Sequence, residues 1–203
     1  MTEPSKAAID LIVAFEVTSE AAYRRKYQHP EWPGGASGVT IGIGYDVGYV
    51  TITTLKRDWG GAIPDSMIEA LRPAAGIKGP PAKALALELA DDVSVPWEAA
   101  IAVFARAILP RYSRQTRGAL PNTDMLSGDS FGALVSLTFN RGASFAKPGE
   151  RFKEMRAIKS HMGARNFAAI PDELRAMQRI WPNVAGLQRR RREEARLFEK
   201  GLG

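Results

Sequence analysis

The sequence predicts an α+β fold, predominantly helical, with one small β element near the N-terminal end. Three observations predict it. Pro and Gly punctuate the chain at intervals of about one helix, and apolar residues recur at helical spacing in most of the segments between them. One stretch, 39–46, alternates with period two instead. The 203 residues are 45% hydrophobic and 25% charged, and Gly 19 with Pro 13 is far from a low-complexity level, so the chain can bury a core unaided.

The elements follow in order. Ser5 is placed to cap a first helix, after which Ile9, Ile12, Val13 and Glu16 fall at i, i+3, i+4 and i+7 of one stripe. Residues 23–38 are polar and turn-rich, with His29-Pro30, Trp32-Pro33-Gly34-Gly35 and Ser37-Gly38, and predict a loop or hairpin excursion. In Val39-Thr40-Ile41-Gly42-Ile43-Gly44-Tyr45-Asp46 the odd positions are apolar, and the even ones carry a hydroxyl, two bare glycines and a carboxylate. Helices are then expected to open at Pro64-Asp65, at Pro80-Pro81 and at Pro96, the last with Trp97, Ile101, Phe104, Ala105 and Ile108 as its stripe and Pro110 as its end or kink. Another starts near Ser127 or Asp129, buries Phe131, Leu134, Val135 and Thr138, and stops at Gly142. Two more span about 148–161 and 164–180, and a final one runs from about Gly186 to Lys200 with Arg189–Glu193 and Arg190–Glu194 as i, i+4 pairs. Trp97 and Trp181 read as core. The whole is expected to be one domain over 1–203, with a β lobe about 17–50 and a helical body about 51–203 joined by the first helix, 5–16.

Composition narrows the chemistry. There is no cysteine, and the two histidines, His29 and His161, are far apart, so no metal site and no cofactor are expected. No apolar run approaches the roughly 18–20 residues of a membrane span, so no stable membrane insertion is expected. The N-terminal segment, Met1-Thr2-Glu3-Pro4-Ser5-Lys6, lacks the pattern of a secretory signal. The surplus of 28 basic over 22 acidic residues favours an anionic partner, whether nucleic acid, membrane surface or bacterial cell wall.

Glu16 is the first candidate for chemistry. A carboxylate that continues an apolar stripe at the C-terminal end of a helix is disfavoured in its charged form by burial and by the helix dipole, which suits a general acid. The alternative is a glutamate that reaches solvent or pairs with an arginine. The even face of 39–46 is the second candidate. Its glycines would let a polymer such as a sugar chain approach the backbone, or would serve close packing. A straight strand would put Thr40 and Asp46 roughly 20 Å apart, at about 3.3 Å per residue. Both can act together only if the chain bends at Gly42 or Gly44. Glu31, in the Pro-rich loop, is set apart from the Thr40 face, which leaves Asp46 as the second carboxylate.

Glu16, Tyr23 seven residues on, and Thr40-Ile41-Gly42-Ile43-Gly44 together resemble the opening of the phage-type lysozymes, in which a helix-terminal Glu precedes a small β lobe with a T-I-G-x-G strand. The segment Ala133-Leu134-Val135-Ser136-Leu137-Thr138-Phe139-Asn140-Arg141-Gly142 is similar to that family's cleft helix, and Trp181 followed by Gly186-Leu187-Gln188-Arg189-Arg190-Arg191 resembles its final segment. The likeness covers about 5–46 and 128–200. Many members place an Asp nine residues after the Glu, where this chain has Arg25, and a His after T-I-G-x-G, where it has Tyr45. The spacing from Thr40 to Asp46 is instead similar to that of the pesticin-type muramidases, whose Asp lies six residues beyond the Thr.

The resemblance implies a lysozyme-like fold and a muramidase that cleaves the β-1,4 bond between N-acetylmuramic acid and N-acetylglucosamine in peptidoglycan. Glu16 would be the acid, with Asp46 and Thr40 holding a water on the other face of the sugar, an inverting arrangement by family analogy. It also implies a cofactor-free monomer, made in the cytoplasm and reaching the wall through a holin or a secretion system, as an endolysin or an antibacterial effector. Further sugar contacts would come from Asn140, Trp32, Tyr45 and Gly42, although Asn140 could equally be a helix cap and Trp32 could pack its loop. Arg189 would support Glu16 by pairing with it or belong to a solvated arginine face. Two rivals stand beside this reading: a catalytically inactive wall-binding module of the same fold, and a basic helical protein that binds nucleic acid through Arg189 to Arg192.

Overall fold

In the computed structural model, which describes residues 2–203, 66% of the chain is helical and 4% is strand. The strand is a two-stranded antiparallel sheet, so the predominantly helical class with one small β element is as expected. In chain order the helices are α1 (Lys6–Val17), α2 (Glu20–Lys26), α3 (Ile52–Trp59), α4 (Asp65–Ala70), α5 (Pro80–Glu88), α6 (Trp97–Val103), α7 (Leu109–Ala119), α8 (Gly128–Arg141), α9 (Lys153–Ala164), α10 (Ile170–Ala176) and α11 (Ala185–Lys200). The strands β1 (Thr40–Ile41) and β2 (Tyr45–Asp46) lie between α2 and α3.

The chain forms two compact units, Met1–Phe15 with Arg111–Gly203, and Glu16–Pro110. The β element shares its unit with the chain from Glu16 to Pro110.

In the first unit α8 is buried over nearly its whole length, from Ser130 to Thr138. Its buried hydroxyls, Ser130, Ser136 and Thr138, are hydrogen-bonded inside, and Gly132 lets α1 come against it: a Cβ there would sit 2.1 Å from the Cβ of Ala8. Ser127 caps α8 through the Ser130 amide, and Gly142 ends it at φ 69°. Ser5 caps α1 by accepting from the Ala8 amide at 3.1 Å. Helix α11 packs on α8 and α10, and two of its four consecutive arginines, Arg190 and Arg191, are buried. Glu193 pairs with Arg196 at 2.7 Å instead of Arg189, while Arg190 and Glu194 pair as expected at 3.2 Å. Trp181 is half-buried rather than core, its ring lying 5.1 to 5.9 Å from the guanidinium carbons of Arg141, Arg151 and Arg191.

In the second unit the fully buried tryptophan is Trp59; Trp97 is half-buried against the ring of Tyr23, 5.3 Å away. Two helices here were not expected. Ser19 caps α2 and Thr51 caps α3, each accepting from the amide three residues on. Helix α6 passes through a π-helical turn, Phe104–Ile108, into α7, so Pro110 follows a locally widened turn and does not end the helix. The extra residue per turn rotates the stripe: Val103, Phe104 and Ile108 are buried, and Ala105 is exposed.

Candidate active site

The stretch 39–46 is a hairpin. Thr40 pairs with Asp46 and Ile41 with Tyr45, around the turn Gly42-Ile43-Gly44. Gly42 at φ 58° and Gly44 at φ 64° supply left-handed conformations that a Cβ would oppose. Each pair joins positions of the same parity, so the apolar and polar sets stay on separate faces through the turn. Val39, Ile41, Tyr45 and Val47 are buried on one face. Thr40 and Asp46 share the other.

That face has a third member. Glu31 and Thr40 exchange both backbone hydrogen bonds, the Glu31 amide donating to Thr40 at 3.0 Å and the Thr40 amide donating to Glu31 at 2.8 Å. Directly opposed residues of an antiparallel pair project to the same side, so Glu31, Thr40 and Asp46 form a row across the ladder. Thr40 spends both backbone groups on Glu31, which makes Thr40–Asp46 the non-bonded pair; Cα separations of about 5.5 Å and about 4.5 Å follow for the two neighbours. The separation of Glu31 from Thr40 expected from the Pro-rich loop is thus corrected. Pro30 and Pro33 flank this isolated bridge, and neither is asked to donate a backbone hydrogen bond to it.

The two carboxylates differ in surroundings. Asp46 Oδ1 accepts from the Gly38 amide at 3.0 Å and the Gly48 amide at 2.9 Å, and so caps the short 3-10 turn Val47–Tyr49. Gly38 is required for this, because a Cβ on it would lie 2.5 Å from Asp46 Oδ1. Burial raises the Asp46 pKa, against the two amides and the charge of Lys78. Burial also raises that of Glu31, opposed only by the charge of Lys26. Glu31's carboxylate has no hydrogen bond or ion pair among the described residues, and neither has the Thr40 hydroxyl.

Glu16 is the penultimate residue of α1 and half-buried. Thr18, just beyond the helix, holds φ 67°. A β-branched residue in the left-handed region carries about 1–2 kcal/mol of backbone strain, a feature that concentrates at working sites. Ser19 then caps the next helix at once, and this fixes the chain's exit from Glu16.

Compared with protein-family models and with curated proteins, the sequence matches none.

The other expected contacts separate into several cases. Tyr45 is 2% exposed, its ring edge-on to Trp59 at 5.5 Å and its hydroxyl donating to Asp58 at 3.0 Å, so it is a core residue with no surface for a sugar. Gly42 is buried too: a Cβ would meet the Trp59 ring at 2.7 Å, so close packing and the turn explain it, not sugar approach. Trp32 is half-buried and donates from Nε1 to the Ser37 carbonyl at 2.9 Å, which ties its own loop. Tyr49, 62% exposed and three residues past Asp46, is the aromatic that sequence reasoning missed; its hydroxyl bonds the Ala36 carbonyl and the Lys78 ammonium lies 4.4 Å from its ring centre.

Asn140 and Arg189 belong to the other unit. Asn140 is exposed, with Oδ1 accepting from Arg191 at 3.2 Å. Arg189 is exposed and lies over the Phe15 ring at 5.3 Å, and it has no ion pair among the described residues. The expected support from Arg189 is corrected: the buried arginines are Arg190 and Arg191, which converge on Glu194 Oε1 with the Ser136 hydroxyl. Among the described residues no three His, Cys, Asp or Glu side chains group as metal ligands, and no helix is long and apolar enough to cross a membrane.

Proposed function

We propose that the chain is a peptidoglycan hydrolase with a lysozyme-like fold, a muramidase that cleaves the β-1,4 bond between N-acetylmuramic acid and N-acetylglucosamine. Glu16 protonates the leaving glycosidic oxygen. Thr40 and Asp46 hold the attacking water on the opposite face of the sugar, which makes the reaction a single displacement with inversion. No cofactor takes part, and the surplus positive charge helps keep the enzyme on an anionic wall.

The observation that carries this reading is the pairing of Thr40 with Asp46. Six positions apart in sequence, they could serve one water only through a bend at the glycines, and the hairpin turns at Gly42 and Gly44. Tyr49, exposed and three residues past Asp46, offers an aromatic surface on which a sugar ring could stack. The nucleic-acid reading loses ground because two of the four consecutive arginines are buried and bonded within the protein.

The test is loss of turbidity of purified peptidoglycan by the wild type and by Glu16→Gln. Wild-type lysis with at most a few per cent left in the variant is expected, with an unchanged melting curve. An inactive wild type that still sediments with peptidoglycan would favour the wall-binding module.

A further inference from the structure

Glu31 has no part in the mechanism so far, yet its backbone is locked to that of Thr40 on one side as Asp46 stands opposite on the other. Thr40 is thus flanked by two carboxylates, with Cβ atoms each about 5 Å from its own. The two acids differ in how their oxygens are engaged. Asp46 spends its oxygens on the Gly38 and Gly48 amides, and hydrogen bonds donated to a carboxylate stabilise its charged form and weaken its pull on a proton. Glu31 keeps its oxygens unbonded among the described residues while half-buried. A partly desolvated carboxylate that accepts no hydrogen bond and has only the charge of Lys26 acting on it is costly to keep and is characteristic of a group awaiting a substrate or a water.

We propose that Glu31 is the proton acceptor of the hydrolysis and that Asp46 is a positioning residue, which holds the turn and, with Thr40, the water. This rests on the muramidase reading above. The water oxygen forms its bond to the sugar C1 as the C1–O bond to the leaving sugar breaks, that electron pair going to the leaving oxygen. The leaving oxygen takes the proton of Glu16, and the water's proton passes to the Glu31 carboxylate. Proton exchange with solvent then restores a protonated Glu16 and an ionised Glu31.

The experiment compares wild type, Glu16→Gln, Asp46→Asn, Glu31→Gln and Glu31→Ala on purified peptidoglycan, the last with and without sodium azide, with melting curves for all. Folding should survive at Glu31, because its backbone and not its side chain makes the ladder. Glu31→Gln is expected to lose about 100-fold or more, the usual scale of a missing general base, and Asp46→Asn less. Azide should restore turnover to Glu31→Ala by attacking C1 directly, and a glycosyl azide should appear by mass spectrometry. Glu31→Gln retaining more than about a tenth of wild-type activity while Glu16→Gln is dead overturns the role of Glu31 and leaves the muramidase reading standing. Loss of activity in a folded Glu31→Ala that azide does not rescue also overturns proton acceptance. A wild type without activity, or a fully active Glu16→Gln, overturns the muramidase reading itself and the proposal with it.

Discussion

Thr40 and Asp46 face each other across a hairpin whose turn is made by two left-handed glycines, and the Asp46 carboxylate is gripped by the amides of Gly38 and Gly48. That grip gives Asp46 a structural duty separable from any chemical one. Asn retains an oxygen that can accept both amides; Ala retains none and leaves a helical turn uncapped. Asp46→Ala is expected to lose about 1–2 kcal/mol in urea unfolding, and Asp46→Asn well under half of that. Equal losses would show that the charge, not the cap, is what the turn needs.

The turn itself can be tested at Gly42. Alanine there faces both a left-handed backbone, costing about 1–2 kcal/mol, and a collision with the buried Trp59 ring at 2.7 Å. Gly35 at φ 60° has open space around it, so Gly35→Ala measures the backbone cost alone. Gly42→Ala is expected to be the more destabilising by at least 1 kcal/mol in thermal or urea melts, and Gly42→Val more so. Near-equal melts for the two alanine variants would remove Trp59 from the explanation.

These two sites also show what the sequence could carry. Alternation across 39–46 separated the faces correctly although the segment is a hairpin and not a strand, because a turn of three residues preserves parity. The caps at Ser5 and Ser127 and the stop at Gly142 were legible for the same reason: their partners lie within a few residues. Glu31 was not legible beside Thr40, nine positions away, since its pairing is set by a loop that closes around polar, proline-rich sequence. Tyr45 misled because its position beside Asp46 said nothing of Asp58, thirteen residues on, which accepts its hydroxyl in the core. The arginine run misled in the same way, as helix packing decided that Arg190 and Arg191 go inside and Arg189 stays out.

Burial at Glu31 has a pH signature. Its pKa is raised in the folded protein, so folding binds the proton more tightly than the unfolded chain does. The favourable contribution is full below the unfolded value near 4.5 and is lost as pH rises through the folded value. At pH 7 the ionised, unbonded carboxylate is a net cost. Glu31→Gln is therefore expected to be more stable than wild type at pH 7, with the gap closing as the pH is lowered to about 4, as read by urea midpoints at several pH values. A gap that widens toward acid would mean the carboxylate is stabilised in the fold, with a partner taking its charge.

The stereochemical outcome discriminates most sharply among mechanisms. A water held by Thr40 and Asp46 and attacking opposite Glu16 requires room for that water, which in inverting glycosidases corresponds to carboxyl groups roughly 6.5–9.5 Å apart; direct attack by a carboxylate needs about 5–5.5 Å. Neither flanking acid is well suited to direct attack. Asp46 is turned toward two backbone amides, and Glu31 is attached to an edge segment paired with Thr40, so the Thr40 hydroxyl lies centrally in the row. A hydroxyl between two carboxylates suits a water better than it suits a sugar carbon. The first-formed product, followed by proton NMR during the first minutes of digestion of a soluble chitooligosaccharide or peptidoglycan fragment, is expected to carry the α-anomer and to mutarotate afterwards. A β-anomer formed first would signify net retention and would sink the held-water mechanism, even if Glu16, Glu31 and Asp46 all proved indispensable.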